Sequence, residues 1–114
     1  IVIGMIDQAV YVYNQETMEV FEVAIGSKKK KKIYKPDKTD VLYYTYKNHL
    51  IRGDMEKEKF YYLKDSAWEE LEGIASFTNT FGDFAEYYDK KNVLHVVYGD
   101  SLFKDQKKEL FERK

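Results

Sequence analysis

Aromatic rings supply much of the apolar surface of this chain, and this limits the kind of core that it can build. Eleven tyrosines, seven phenylalanines and one tryptophan occur among 114 residues. A buried tyrosine contributes a large apolar ring, but its hydroxyl needs a hydrogen-bond partner or a route to water. We therefore expect a core that relies on tyrosine rings, with some of the hydroxyl groups at the surface.

Length and composition predict one ordinary domain over residues 1–114. The chain has no cysteine, which excludes disulfides, thiolate metal sites and a cysteine nucleophile, and favours a cytoplasmic location. No segment approaches the roughly 18 consecutive apolar residues of a membrane-spanning helix. We expect no metal, no cofactor and no contact with a membrane.

Short segments in which apolar residues alternate predict strands through the first half of the chain. The clearest pair is a hairpin around a turn at residues 14–17. The segment 49–59 is ambiguous between a short strand and a turn. The predicted strands cover residues 9–14, 18–25, 41–47, 59–64 and 93–98.

The second half of the chain carries helix signals. Ser66-Ala67-Trp68-Glu69 fits a capping box, and the apolar residues that follow Thr80 have helical spacing. We expect helices at residues 66–73, 80–92 and 101–113. The predicted fold class is α+β, a mostly antiparallel sheet of about five strands with two or three helices packed on it. A crossover would make strand 93–98 parallel to strand 59–64, and we find no internal repeat.

Positive charge is concentrated in one segment. The net charge is −1, yet residues 28–38 hold seven lysines and one aspartate. We expect a lysine-rich loop at about residues 27–40 that binds an anion, such as nucleic acid, a nucleotide phosphate or an acidic protein surface. The alternative is a solvated hairpin tip without a partner. The candidate binding residues are Lys28, Lys29, Lys30, Lys31, Lys32, Tyr34 and Lys35.

A second candidate site lies in the uncharged segment 74–82. Small hydroxyl and amide groups beside Phe77 and Phe81 suit a small-ligand pocket or a dry interface. The alternative is a corner between two helices, in which these polar side chains act as caps. The candidate residues are Ser76, Thr78, Asn79 and Thr80.

One short motif points to catalysis. Gly99-Asp100-Ser101-Leu102 resembles the serine block of the GDSL-type esterases. In that family an Asp-x-x-His block follows the serine block, whereas neither His49 nor His95 has an aspartate three positions before it. The same four residues fit a turn followed by a capped helix. A hydrolase that uses Ser101 or His95 is one hypothesis, and a hydrogen-bonded core histidine is the competing interpretation of His95.

The number of tyrosines leads to the main functional hypothesis. We expect Tyr43 and Tyr46 to belong to an aromatic sheet surface, because tyrosine is enriched at interfaces. The chain would then be a non-enzymatic accessory or inhibitor protein of a bacterium or phage. It would dock a macromolecular partner, or a second copy of itself, through this surface, with the lysine-rich loop attracting the partner. The alternative is a protein that binds or sequesters a small ligand or nucleotide.

Overall fold

A computed structural model describes residues 1–103 and 109–113 of the chain, and side chains are described for residues 1–103 other than Asn79. The described residues form twelve strands and one 3₁₀ helix. All strand pairs are antiparallel, and the strands form three sheets of four strands each.

Within each sheet, the spatial order of the strands follows the chain. The first sheet contains β1 (Val2–Ile6), β2 (Ala9–Tyr13), β3 (Val20–Ala24) and β4 (Lys30–Tyr34). The second contains β5 (Val41–Tyr46), β6 (His49–Asp54), β7 (Lys59–Lys64) and β8 (Ala67–Glu70). The third contains β9 (Ile74–Phe81), β10 (Phe84–Asp89), β11 (Leu94–Tyr98) and β12 (Glu109–Arg113). The 3₁₀ helix Gly99–Phe103 follows β11.

The three sheets begin in the same way, with a tight hairpin between their first two strands. Each of these turns has two residues, at positions 7–8, 47–48 and 82–83. Asp7, Lys47, Asn48 and Gly82 have φ values between 48° and 63°, the left-handed conformation that such short hairpin turns require. Three sheets of one design therefore follow one another, although no repeat is evident in the sequence.

The α+β prediction is wrong, because the expected helices are strands. The first expected helix, at residues 66–73, begins in a hairpin turn instead. Asp65 and Ser66 have φ values of 49° and 71° and form the turn between β7 and β8. A residue in this conformation cannot cap a right-handed helix, so the apparent capping box is a hairpin turn followed by β8.

The predicted helix at residues 80–92 is the end of β9, a turn and β10. Alternate residues of β10 are buried, with Ala85 at 0% and Tyr87 at 3% exposure, and this is the period of a strand. The predicted final helix at residues 101–113 contains the end of the 3₁₀ helix and β12, and its residues 104–108 lie outside the described part. β11 pairs antiparallel with β10 and β12, so the predicted parallel crossover to 59–64 is wrong as well.

The segment predicted as a lysine-rich loop contains a strand. β4 pairs with β3 and forms the outer edge of the first sheet. In register, Lys32 lies opposite Phe21 and Lys30 lies opposite Val23. The lysines therefore occupy an extended edge strand, with short connections on either side.

Two apolar clusters hold the sheets together, one on each face of the middle sheet. Leu50, at 1% exposure, packs with Tyr11 and Val20 of the first sheet. Its neighbour Ile51, at 0% exposure, packs with residues of the third sheet such as Tyr87 and Val97. Successive residues of a strand point to opposite faces, so β6 contributes to both clusters. The middle sheet is thus covered on both sides.

Candidate functional site

The predicted basic site consists of lysines on or beside the edge strand β4. The ammonium group of Lys30 lies 4.6 Å from the centre of the Phe21 ring. Lys32 forms an ion pair with Glu19 at 3.2 Å. Lys28, Lys29, Lys31 and Lys35 are exposed, whereas Tyr34 packs against Trp68 in the contact between the first two sheets. The structure therefore separates Tyr34 from the exposed lysines.

The tyrosines predicted to form a surface face inward instead. The hydroxyl of Tyr46 donates to the backbone oxygens of Asp83 (2.8 Å) and Gly99 (3.1 Å), and that of Tyr43 donates to the oxygen of Met18 (2.5 Å). Tyr46 is only 4% exposed. Of the eleven tyrosines, Tyr98 alone is classed as exposed. The hydroxyl groups of Tyr43 and Tyr46 thus find partners inside the protein, and packing between three sheets accommodates the rings.

The buried tyrosines make stability sensitive to high pH. Burial, and next the hydrogen bond from its hydroxyl to Glu22 Oε2 (2.7 Å), raise the pKa of Tyr11 to about 12. An unfolded tyrosine has a pKa of about 10. The neutral hydroxyl therefore stabilises the folded state fully below about pH 10, and this contribution is lost as the pH rises through about 12.

We expect the urea midpoint of the wild-type protein to fall between about pH 10 and pH 12 for this reason. Tyr11→Phe should lose less stability than the wild type over that range. Tyr98→Phe, a change at the exposed tyrosine, is the matched control and should follow the wild-type curve. Equal declines for wild type and Tyr11→Phe would contradict the assignment.

The second predicted site is divided between two faces of β9. The hydroxyl of Thr78 donates to the carbonyl oxygen of Glu86 at 3.2 Å and also contacts the Glu86 carboxylate. Ser76 lies opposite Tyr88 in the sheet, and Asn79 lies opposite Glu86. Two cavities are found in the described part of the chain. Of the four predicted residues, only Thr80 lines one of them.

The three sheets meet at this cavity. It has a volume of about 370 Å³ and lies where β1, β5 and β9 reach their hairpin turns. We call it the turn-end cavity. Residues from all three sheets line it, namely Met5, Ile6, Thr45, Tyr46, Lys47, Asn48, Thr80 and Gly82.

The turn-end cavity offers neutral polar groups. Within residues 1–103, apart from Asn79, the side chains of Thr45, Asn48 and Thr80 make no hydrogen bond with the protein. Lys47 Nζ lies 2.8 Å from Asp83 Oδ1, and this hydrogen bond raises the pKa of the lysine. Lys47 therefore stays charged, but its charge is balanced by Asp83. The cavity has hydroxyl and amide groups to offer and little net charge.

Sequence reasoning missed Thr45, Lys47 and Asn48. They lie at the end of a predicted strand, and nothing in the local pattern marks them as functional. The feature that could have led to these residues is the two-residue turn, which recurs between the first two strands of each sheet. Only the packing of separate sheets brings these residues close to Thr80.

A second cavity of about 320 Å³ lies between the first two sheets, beside the connection from β4 to β5. Its lining carries charges of both signs, and Lys38 and Glu56 form an ion pair across it. Asp54 pairs with Arg52, whereas the lining residues Asp37, Asp40 and Lys57 form no ion pair within the described part of the chain. The lining of the turn-end cavity differs in carrying a single charged side chain, Lys47, which is paired with Asp83.

Of the two catalytic candidates, His95 is held by contacts within the third sheet. His95 Nε2 lies 2.8 Å from Asp89 Oδ2, and the His95 ring stacks on Tyr87 at 4.9 Å. Asp89 also accepts hydrogen bonds from the backbone NH groups of Lys91 and Val93, and together with the His95 bond these lower its pKa. Ser101 lies in the 3₁₀ helix, whose Leu102 is 1% exposed. His95 and Asp89 thus fasten the turn between β10 and β11.

Repeated four-stranded antiparallel sheets around a common line are the building plan of β-propellers. The described chain is nearly all β, with three sheets of four antiparallel strands. Comparison with protein-family models, with curated proteins and with solved structures finds no match in any of the three. In residues 1–103 and 109–113, no helix has the length and apolar character that a membrane crossing requires. The same residues contain no group of three or more metal-ligating side chains.

Proposed function

We propose that the chain is a non-enzymatic interaction domain that binds an extended segment of a partner protein at the turn-end cavity. The observation that carries the proposal is that Thr45, Asn48 and Thr80, from two different sheets, line one cavity with hydroxyl and amide side chains that make no hydrogen bond within the described part of the chain. Preformed concave sites with a few converging polar groups are typical binding sites. A cytoplasmic location, expected from the cysteine-free sequence, is part of the proposal.

The chemistry of the lining favours a polypeptide over a phosphate. Hydroxyl and amide side chains both donate and accept hydrogen bonds, as needed to pair with the NH and C=O groups of an extended backbone. Ile6 gives an apolar wall for a side chain of the bound segment. A phosphate would need uncompensated positive charge, whereas Lys47 is paired with Asp83. Attraction of an anionic partner by Lys28, Lys29 and Lys31 stays a prediction.

The test uses peptides selected from a phage-displayed random library on the immobilised wild-type chain. Their affinities are then measured by fluorescence polarisation for Thr45→Val, Asn48→Gly and Thr80→Val. Each change removes one hydrogen-bonding side chain, and we expect about threefold to tenfold weaker binding from each. Asn48→Gly retains the turn because glycine readily adopts the φ of 63° found at this position.

Thr78→Val is the matched control, since Thr78 lies on the same strand as Thr80 but bonds to Glu86 instead of lining the cavity. Its peptide affinity should equal that of the wild type. A library that yields no binder, or binders that are indifferent to all three cavity substitutions, would refute the proposal.

A further inference from the structure

The outer sheets differ from the middle sheet in having one face that nothing in the described residues covers. The covered face of the first sheet packs Tyr11 and Val20 against the middle sheet. Its opposite face presents two rows of apolar side chains that pair across β1, β2 and β3. Val2 and Met5 in these rows are 65% and 63% exposed. We call this the first outer face, and its apolar residues are Val2, Met5, Val10, Val12, Phe21 and Val23.

The third sheet repeats this arrangement at the other end of the molecule. Ala85, Tyr87 and Val97 pack against the middle sheet, so their neighbours in sequence point away from it. Phe81, Phe84 and Tyr98 lie side by side across three strands, with ring centres 6.3 Å and 5.3 Å apart. Phe81 and Tyr98 are 49% and 45% exposed. The apolar residues of this second outer face are Phe81, Phe84, Tyr88, Leu94, Val96 and Tyr98.

The dimensions of the molecule indicate how large a partner must be to cover both outer faces. Its principal extents are 47, 28 and 21 Å. The sheets are arranged around a common line, since β1 and β5 are in contact and the ends of β1, β5 and β9 meet at the turn-end cavity. Two copies placed side by side, joined along their 47 Å edges, measure about 42 Å across, which is twice the 21 Å extent of one copy. This width is close to the 47 Å length. Doubled along its 21 Å extent, though not along its 28 Å extent, one copy has the dimensions of half a disc.

We propose that two copies of this chain associate around a twofold axis and close a ring of six sheets, with the first outer face of each copy packed on the second outer face of the other. Rings of about four to eight four-stranded sheets are the stable range of β-propellers, and six falls inside it. A twofold axis uses each face once and leaves no apolar face open. In such a ring the turn-end cavities of both copies face the centre.

The buried area and the charges favour this arrangement. Four strands about 4.8 Å apart and about five residues long give each face roughly 300 Å². Two joints bury four faces, or roughly 1,200 Å², the lower limit of stable protein interfaces. The first outer face carries Lys30 and Lys32 at its edge, and the second carries Glu86. The two different faces thus carry opposite charges on different strands, β4 and β10, whereas identical faces would bring like charges together.

The experiment measures the mass of the full chain by light scattering after size exclusion, over a hundredfold range of concentration. We expect about twice the chain mass of 13.6 kDa. Met5→Lys on the first outer face and Phe81→Glu on the second should each give single chains. Leu42→Lys is the matched control, because Leu42 is an exposed apolar residue (44%) of the middle sheet. The Leu42→Lys variant should remain a dimer. Far-ultraviolet circular dichroism checks that all variants are folded.

Mixing the two variants gives the sharper result. A Met5→Lys chain and a Phe81→Glu chain can form one dimer with an unaltered joint and one joint that carries Lys opposite Glu, so the mixture should recover the doubled mass. A single-chain mass for the wild type, growth into larger assemblies, doubled mass in either variant alone, or no recovery on mixing would each overturn the closed ring.

Discussion

Arg52→Ala is expected to lower the free energy of unfolding by about 3 kcal/mol, within the usual range for removing one partner of a buried ion pair. Arg52 is 7% exposed, and its guanidinium carbon lies 4.4, 4.2 and 4.7 Å from the ring centres of Tyr34, Tyr61 and Trp68. Its Nη2 donates a hydrogen bond to Asp54 at 3.2 Å. Its Nε lies 3.0 Å from the same carboxylate without hydrogen-bond geometry, so that contact is ionic. The substitution removes all of these contacts, of which the stacking on Tyr34 joins the first sheet to the second.

Urea unfolding followed by tryptophan fluorescence measures this loss, since Trp68 is the only tryptophan and touches Arg52. Arg52→Lys separates charge from shape: it keeps the positive charge but loses the planar group that stacks on the rings. We expect it to recover less than half of the stability lost in Arg52→Ala. Lys57→Ala, an exposed cation on the next turn, should change stability by less than about 0.5 kcal/mol. If Arg52→Ala behaves like Lys57→Ala, the stacked arginine is not a structural anchor.

Leu50→Ala and Ile51→Ala should each cost about 2–5 kcal/mol, the usual range for creating a cavity in a packed core. These neighbours point to opposite faces of the middle sheet, and each is at most 1% exposed. In a protein with one covered sheet face, only one of two adjacent strand residues would be sensitive. The double sensitivity is therefore a specific sign that the middle sheet is packed on both sides.

Chemical denaturation of the two variants and of Leu42→Ala provides the comparison. Leu42 lies on the neighbouring strand β5 and is 44% exposed, so its truncation should cost well under half as much. A small effect at either Leu50 or Ile51 would show that the corresponding face is not buried in solution.

The strands with strong local patterns could be predicted from the sequence, and the rest depended on turn chemistry. The predicted strand 59–64 has the bounds of β7, and 41–47 differs from β5 by one residue. The helices were predicted wrongly because apolar residues three and four positions apart also occur in two strands joined by a tight turn. The left-handed residues Asp65, Ser66 and Gly82 decide between these possibilities. Their backbone conformation is not evident from residue type alone.

The candidate site was predictable only in part. Thr80 was identified because it belongs to an uncharged segment, but Thr45 and Asn48 join it through contacts between sheets far apart in sequence. The sequence led us to expect surplus tyrosines at the surface, whereas Tyr98 alone of the eleven is exposed. A stack of sheets has more internal surface than one sheet covered by helices, and it gives hydroxyl groups backbone oxygens to bond with, as for Tyr46 and Tyr43.

The lysine residues on β4 have a consequence for the behaviour of the protein in concentrated solution. An edge strand exposes unpaired backbone NH and C=O groups, and a neighbouring chain can extend the sheet by adding a strand there. Consecutive ammonium groups at Lys30, Lys31 and Lys32 make such an approach electrostatically unfavourable for a second identical edge. We therefore expect the charge on β4 to disfavour pairing between the edge strands of two copies, and neutralising these lysines to favour aggregation.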